Sequence, residues 1–272
     1  MPFILRDCLP KNSHRASYMT CVVLLKTFAR YLSHGSIMLH VILLESALEL
    51  VPSEISSLKE IQSYAHSKGK SPTEILLDQS YHGRSMIRLP HSERRGRPDI
   101  VYLSLLTLLE TPLCKAGDLG IHIHLQDGRM IVVNPEVRLP RNYERFIGLM
   151  EQLLIRGQVP PKGDPLLSFS PYDLEEVVNR LEGKSSESVS ILALEEGDKR
   201  TMKELTRHFP QNAQVPVIVG IGAFPHGEFS KEVERLFDDK IALSSDVMMA
   251  WHVCAEVLWA YTWLREAASD QA

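Results

Sequence analysis

The sequence predicts an α/β fold in which a mostly parallel central sheet is flanked by helices. Short apolar runs at residues 39–44 and 217–220 have the length of buried strands. Segments with the apolar period of a helix lie between such runs, and strands that alternate with helices are typical of an α/β sheet. The 272 residues can bury a substantial core, as one large domain or two small ones.

Local signals place the first helices of the chain. A helical pattern begins at Ser53 and stops at Gly69, and Pro98 occupies the first turn of a helix that continues to Glu110. Residues 81–95 have no clear period. We expect a basic loop there, with or without a short strand at 85–89.

The second half of the chain repeats this alternation. A strand at 121–125, followed by the turn Asp127-Gly128, predicts a hairpin. A helix at 143–155 ends at Gly157. Further expected elements are a loop at 158–170, strands at 189–194 and 217–220, a helix at 201–209 and a long last helix after Ser245.

Charge is distributed unevenly along the chain. The formal net charge is −4, so bulk charge does not indicate nucleic-acid binding. Residues 84–97 nevertheless hold five arginines and a single acid, Glu93, whereas the C-terminal part is acidic. The sequence therefore predicts one basic region and one region that would repel RNA. The five arginines are Arg84, Arg88, Arg94, Arg95 and Arg97.

The four cysteines are widely spaced and form no CxxC pair or Cys/His cluster, so neither a metal site nor a disulfide framework is indicated. This cysteine usage fits a reducing, cytoplasmic setting. No apolar run reaches the roughly 18 residues that a membrane span needs, and we expect no membrane partner.

Residues 1–37 form an N-terminal extension with five basic residues and one acid. Residues 18–32 could form an amphipathic helix, and basic, acid-poor starts of this kind resemble targeting segments. The interpretations that we favour are a disordered tail, or a start assigned too far upstream, with Met38 as the true one.

Two arginine clusters precede helix starts and suggest an RNA-binding surface. Arg97 lies in the first cluster, and Arg138, Arg141 and Arg145 lie in the second. A planar, permanently charged guanidinium suits phosphate, and Arg141 and Arg145 would share one face if the helix had already begun. Asp99 is placed to orient Arg97 by a charge-assisted hydrogen bond. The alternatives are a solvated basic face, and stabilisation of the helix dipole by Asp99.

Two loops in the C-terminal half have the composition of a small-molecule site. Gly220, Gly222 and Gly227 follow an apolar strand, where glycine lets the backbone approach a ligand at the carboxyl end of a sheet. An ordinary strand-to-helix turn explains the same loop equally well. The second loop covers 243–248, and capping of the last helix by Ser245 or Asp246 is its simpler interpretation.

His122 and His124 share one face of the strand at 121–125. A metal site would need a third ligand, which the sequence does not signal, so we expect no metal and a half-exposed strand face. Cys114 and Cys254 are expected to be small structural residues.

Several longer motifs resemble those of the pseudouridine N1-methyltransferases of ribosome biogenesis, which are SPOUT-class enzymes of small-subunit rRNA. The motifs are RPDI at 97–100, TPLCKAG at 111–117, VNP at 133–135 with RLPR at 138–141, and RFIGLMEQLL at 145–154. They occur in the family's order, and the resemblance runs from about residue 39 to 263. The short form of the chain and EILLD at 74–78 are more similar to archaeal than to eukaryotic members.

The resemblance implies a trefoil-knotted SPOUT fold, S-adenosylmethionine bound in the knot, and a homodimer. Residues 38–272 would form one methyltransferase domain, with the knot in its C-terminal part. The family's RNA contacts carry over to Arg97, Arg138, Arg141 and Arg145, with Asp99 holding Arg97. The implied cofactor-binding residues are Leu192, Leu194, Gly222, Gly227, Leu243, Ser244, Ser245, Asp246, Val247 and Met248.

Two positions depart from the family's pattern. Cys114 stands where the family usually has Asn, and the turn at 244–247 lacks a proline that is common there. The turn at 111–117 is therefore expected to differ locally, and contacts of the cofactor with 244–247 are expected to be made mainly by the backbone.

The family's activity is transfer of a methyl group from S-adenosylmethionine to N1 of a pseudouridine. The sequence identifies no catalytic base for the N1 proton; Asp99 is conceivable, but it is better placed to engage Arg97. Two alternatives stay open. One is a non-catalytic rRNA-binding assembly factor whose acidic half contacts ribosomal proteins, and the other is a SPOUT ribose 2′-O-methyltransferase acting on tRNA.

Overall fold

The computed structural model describes residues 38–183, 188–212 and 214–269, and the extension at 1–37 lies outside them. Eight strands form one mixed sheet. In chain order they are β1 (Leu39–Ser46), β2 (Leu119–Leu125), β3 (Met130–Val133), β4 (Gln158–Val159), β5 (Leu167–Phe169), β6 (Val189–Lys199), β7 (Val217–Gly222) and β8 (Asp239–Ala242).

The strand order across the sheet is β4-β5-β3-β2-β1-β7-β6-β8. The five strands from β2 to β8 in that order pair in parallel, so their carboxyl ends lie at one edge. β3, β5 and β4 extend the sheet through antiparallel pairs. The expected mostly parallel α/β sheet is confirmed.

Ten α-helices are described around the sheet, together with short 3₁₀ turns at Pro72–Glu74 and Ser92–Arg94. The helices are α1 (Ser53–Ser56), α2 (Lys59–Ser67), α3 (Gln79–Met86), α4 (Pro98–Leu109), α5 (Pro112–Ala116), α6 (Tyr143–Arg156), α7 (Leu174–Glu182), α8 (Met202–His208), α9 (Lys231–Glu234) and α10 (Ala250–Ser269).

The core lies on both faces of β1, which is buried along its whole length. Side chains of a strand point alternately to opposite faces, and β1 supplies two different apolar clusters in this way. Val41 and Leu43 join the cluster formed with α4, α6 and α10. Ile42 and Leu44 join the cluster formed with α7.

Several sequence-based assignments were wrong. The residues 81–95 contain most of α3 and a 3₁₀ turn instead of a loop with a strand. The expected loop at 158–170 contains β4 and β5, and the amphipathic α7 was not anticipated. β6 continues five residues beyond the expected end at Leu194, to Lys199.

The last helix begins at Ala250, four residues after Asp246. Neither Ser245 nor Asp246 can therefore be its N-cap, contrary to the simpler interpretation of that turn. Ser244 organises the turn instead, because its hydroxyl accepts a hydrogen bond of 3.1 Å from the backbone N–H of Asp246.

Within the described ranges no helix is long and apolar enough to cross a membrane. Cys114 and Cys254 are buried free thiols, as expected of small structural residues. Burial raises the pKa of both, and that of Cys254 to about 12. Neither thiol is therefore activated as a thiolate near neutral pH.

The expectation of a half-exposed face at His122 and His124 was wrong. His122 is fully buried and His124 is 8% exposed, because both faces of β2 are covered. The Nδ1 atom of His124 accepts a hydrogen bond of 3.3 Å from the backbone N–H of Glu45. In the described part of the chain, no group of His, Cys, Asp or Glu side chains could hold a metal ion.

Stability should fall when the medium is acidified, and His122 should be one cause. Burial lowers the pKa of His122 from 6.5 to about 3. Between these values the unfolded chain binds a proton that the folded chain does not, so stability present above pH 6.5 is lost as the pH decreases. The loss from one such group is at most about 1.4 kcal/mol per pH unit.

Urea denaturation at several pH values measures this slope. We expect His122→Gln to have a shallower dependence of the unfolding free energy on pH than the parent chain. His66→Gln, at an exposed position of α2, should keep the parent slope. Equal slopes for His122→Gln and the parent would contradict the assignment.

Candidate functional site

Three segments implied as cofactor-binding emerge at one edge of the sheet. Ala193 of β6 pairs with Ile221 of β7 on one side and with Ile241 of β8 on the other. The three strands therefore reach the carboxyl edge at the same level. The loop after β7 and the turn after β8 leave the sheet on either side of β6.

β6 does not end at this edge. Its register against β8 shifts between Ala193 and Asp198, and the strand then continues to Lys199. Leu192 is fully buried in the core cluster with Ile218, and Leu194 packs beside that cluster. Contacts of a ligand with Leu192 would therefore be made by its backbone.

The loop after β7 requires small residues at its start. A Cβ atom on Gly222 would lie 3.0 Å from Cζ of Phe229 and 3.2 Å from Cε1 of Phe224. The two rings pack edge to face with centroids 5.1 Å apart. Gly227 has φ of 97°, in the left-handed region that favours glycine. These glycines thus allow two aromatic rings and the backbone to occupy a narrow turn.

The turn after β8 is open. Ser245, Asp246 and Val247 are exposed, and Val247 has 73% of its surface accessible. Leu243, Ser244 and Met248 are half-buried. The turn therefore offers backbone groups and apolar side chains next to each other, the combination typical of small-molecule sites.

Arg97 lies beside the loop after β7. Its backbone N–H donates to the carbonyl of Ala47 at 3.2 Å, and the N–H of Ala47 donates to the carbonyl of Ala223 at 2.9 Å. Two consecutive backbone hydrogen bonds thus connect the arginine segment to the glycine loop through Ala47. The two candidate surfaces therefore lie at the same edge of this chain's sheet.

The guanidinium of Arg97 is fixed by Asp99. Its Nε donates to Oδ1 at 2.8 Å and a terminal nitrogen donates to Oδ2 at 2.7 Å. This pairing raises the pKa of Arg97 further. Arg97 and Asp99 line an open depression of about 380 Å³ with Gln79 and Ser80.

The second arginine cluster lies next to the first. The hydroxyl of Tyr143 donates to Oδ2 of Asp78 at 2.7 Å, and Gln79, which follows Asp78, donates its N–H to the carbonyl of Gly96 at 2.8 Å. The hydroxyl of Tyr102 on α4 donates to the carbonyl of Arg141 at 2.6 Å. These bonds join the start of α6 to the segment that holds Arg97.

Arg138, Arg141 and Arg145 are exposed, and none forms an ion pair with another described residue. Asn142 is the N-cap of α6, and its side chain accepts a hydrogen bond of 3.1 Å from the N–H of Arg145. Arg141 therefore precedes the helix, and the shared helical face of Arg141 and Arg145 does not apply.

The arginines of the basic region at 84–97 do not all face solvent with free guanidiniums. Arg94 pairs with Glu45 at 2.6 Å, and Arg95 pairs with Glu49 at 2.5 Å. Both guanidiniums are thus neutralised and turned towards the protein. Glu45 lies near the end of β1 and Glu49 just after it, 49 and 46 residues upstream of their partners, and no local signal in the sequence pointed to this pairing.

Sequence reasoning also missed Asp78 and Tyr143. Asp78 is buried and is the N-cap of α3. Its other carboxylate oxygen, Oδ1, accepts a hydrogen bond of 2.8 Å from the N–H of Ser80. Burial and the hydrogen bond to Asp78 raise the pKa of Tyr143. The phenol stays protonated and holds the two arginine clusters together.

Comparisons with known proteins match most of the chain to methyltransferases of one family. A family model described as EMG1/NEP1 methyltransferase matches residues 41–262. The ribosomal RNA small subunit methyltransferase Nep1 of Staphylothermus marinus is 41% identical over 219 residues, which are 80% of this chain and 92% of that protein. The protein with the same description from Thermococcus kodakarensis is 40% identical over 224 residues, covering 81% and 96% of the two chains.

A solved structure is also similar. The crystal structure of Archaeoglobus fulgidus Nep1 bound to S-adenosylhomocysteine superposes with a TM-score of 0.73 at 34% sequence identity. The match covers 85% of this chain and 100% of that chain.

Proposed function

The chain belongs to the EMG1/NEP1 methyltransferase family, and we propose that it methylates N1 of a pseudouridine in small-subunit rRNA with S-adenosylmethionine as methyl donor. The observation that carries the proposal is the short backbone path from Arg97 through Ala47 to Ala223. Through this path Arg97, which we assign to RNA binding, is connected to the loop that we assign to the donor. Such an enzyme would act in small-subunit biogenesis, in the cytoplasm.

The chain's residues fit the donor. The loop after β7 and the turn after β8 offer backbone groups and apolar side chains at one edge of the sheet, and the absence of a Cβ at Gly222 lets the rings of Phe224 and Phe229 pack closely in that loop. The structural relative from Archaeoglobus fulgidus holds S-adenosylhomocysteine, the product that remains after S-adenosylmethionine gives up its methyl group. We assign the donor to Leu192, Leu194, Gly222, Gly227 and the turn 243–248, within the knot that the family implies.

When bound, S-adenosylmethionine supplies the methyl group from its sulfonium sulfur. The chain's own contribution is to hold the two reactants in line, which can account for much of the rate. Arg97, Arg138, Arg141 and Arg145 would hold phosphates of the RNA. A base edge is inaccessible within a stacked helix, so the target must lie in a loop or be flipped out.

No residue is assigned as the base that removes the N1 proton. Asp99 accepts two hydrogen bonds from Arg97, so its carboxylate is engaged in orienting that side chain. We therefore give Asp99 a positioning role only.

A homodimer is the assembly that we propose. Trp259 and Trp263 lie one helical turn apart on α10 and are 62% and 61% exposed. Large aromatic side chains at adjacent exposed positions are typical of interface cores. Val247 and Met249 add exposed apolar surface just before the same helix.

Methyl transfer to a pseudouridine-containing hairpin of small-subunit rRNA tests the activity. We expect one methyl group on N1 of the pseudouridine, identified by nucleoside mass spectrometry, and no transfer to the matched hairpin with uridine. A methyl group on ribose would instead indicate the 2′-O-methyltransferase. Tight RNA binding without cofactor affinity would indicate the assembly factor.

Arg141→Ala should weaken binding of the hairpin and reduce the slope of log affinity against log salt by about one, because one phosphate contact is lost. Filter binding or fluorescence anisotropy at several salt concentrations measures both quantities. Arg156→Ala is the matched control, since Arg156 is an exposed arginine at the opposite end of α6. An unchanged slope for Arg141→Ala would remove Arg141 from the RNA surface.

Gly222→Val should abolish binding of S-adenosylhomocysteine while RNA affinity is retained. A Cβ at this position lies 3.0 Å from Phe229, so the larger side chain must displace the rings of the loop. Isothermal titration calorimetry measures the cofactor affinity. Gly148→Ala on α6 is the control, since a Cβ at Gly148 meets nothing within 4 Å. Parent-like affinity in Gly222→Val would exclude this loop from the site.

A further inference from the structure

The carboxylate of Glu45 is a buried charge at the carboxyl end of β1. Glu45 has φ of 46°, a left-handed conformation that is uncommon for a residue other than glycine. Its N–H donates to Nδ1 of His124 at 3.3 Å, and its carbonyl accepts a hydrogen bond of 3.2 Å from the side chain of Gln126. These contacts fix the backbone so that the side chain points towards the loop after β7.

Arg94 joins this carboxylate to the same loop through three kinds of contact. One terminal nitrogen donates to Oε2 of Glu45 at 2.6 Å, and the other donates to the carbonyl of Glu228. The guanidinium also lies over the ring of Phe224, 4.1 Å from its centroid. Cation–π contacts at this distance are favourable, so one side chain holds both ends of the segment 224–228.

Glu45 reaches the end of the loop directly as well. The N–H of Ser230 lies 3.2 Å from Oε1 and 3.4 Å from Oε2 of Glu45. Ser230 is the N-cap of α9, and its hydroxyl accepts from the N–H of Val233. The carboxylate that pairs with Arg94 therefore also holds the residue at which the loop after β7 ends and α9 begins.

Arg95 provides a natural contrast. It forms a bidentate ion pair with Glu49, at 2.7 and 2.5 Å, and is buried to a similar extent. Its other terminal nitrogen donates a long hydrogen bond of 3.5 Å to the carbonyl of Pro90. Two neighbouring arginines thus have the same chemistry, and only Arg94 contacts the glycine loop.

We propose that Glu45 and Arg94 are positioning residues for the methyl donor, which hold the segment 224–230 in the shape that binds it. The proposal rests on the proposed function, since it takes that loop as part of the donor site. Neither residue needs to contact the donor. Loss of the Arg94 guanidinium frees both ends of the loop, and the donor must then restore its shape on binding, which lowers affinity.

The test compares Arg94→Ala with Arg95→Ala by calorimetric titration of S-adenosylhomocysteine, at a temperature where circular dichroism shows both variants to be folded. We expect the dissociation constant to rise about tenfold or more in Arg94→Ala, and to stay within about twofold of the parent value in Arg95→Ala. Affinity for the rRNA hairpin without cofactor should be unchanged in Arg94→Ala, because its guanidinium is turned towards the protein. General destabilisation would not separate the two ligands in this way.

Arg94→Lys is the second variant and is used if Arg94→Ala does not fold. Lysine keeps a positive charge near Glu45 but has no planar fork to reach the carbonyl of Glu228 and cover Phe224 together. We expect a smaller loss of S-adenosylhomocysteine affinity, about threefold. Parent-like affinity in a folded Arg94→Ala or Arg94→Lys would overturn the proposal, as would equal losses in Arg94→Ala and Arg95→Ala. Failure of the parent chain to bind S-adenosylhomocysteine would overturn the proposed function and this inference together.

Discussion

The parallel pairing of β1 with β7 determines where the candidate site residues lie. Leu44 is opposite Gly222, so the pairing of the two strands ends at the last residue of β7. The N–H of Ala223 then donates to the carbonyl of Leu44, and the N–H of Ala47 donates to the carbonyl of Ala223, each at 2.9 Å. The chain after β1 is thereby held against the glycine loop, and the arginine segment bonds to it in turn through Arg97. A shift of one residue in this pairing would turn every side chain of β1 to the opposite face and separate the two surfaces.

The pairing of β1 with β7 also buries the carboxylate of Glu45, whose charge Arg94 neutralises. Glu45 lies at the carboxyl end of β1 and is covered by the loop after β7, so its carboxylate loses most of its contact with water. An isolated buried carboxylate costs several kcal/mol, and one partner removed from a buried pair is strongly destabilising. The guanidinium of Arg94 and the N–H of Ser230 compensate the charge. Because the compensating groups belong to other segments, the buried charge orders the loop around it.

The sequence predicted correctly those helix ends that are determined by residues close in the chain. Pro98, Asn142 and Gly157 set the ends of their helices through local geometry, and the helices α4 and α6 were expected within two residues of their bounds. The family motifs at 97–100, 138–141 and 145–154 likewise identified the arginines that adjoin the candidate site.

Features that depend on long-range contacts could not be predicted. Glu45 and Arg94 are 49 residues apart, and Asp78 and Tyr143 are 65 residues apart. No period or spacing marks such pairs. The burial of His122 depends equally on packing over both faces of β2, which the alternating pattern of one strand does not reveal. The sequence therefore identified the basic region but not which of its arginines are neutralised.

The arginines of the basic surface have two different roles. Some form ion pairs that make the surface rigid, and others keep hydrogen-bond donors exposed to solvent. Arg94 and Arg95 use their guanidiniums on Glu45 and Glu49, and they contribute to structure. Arg97 and Asp99 are about one-third exposed, where an ion pair contributes at most about 1 kcal/mol to stability. The main effect of this pair is therefore to orient the guanidinium of Arg97. Two of its five N–H donors bind Asp99, and three remain for a ligand. In the proposed complex with RNA, a guanidinium held in place beforehand would reduce the entropic cost of binding, whereas the exposed side chains of Arg138, Arg141 and Arg145 would still lose conformational freedom.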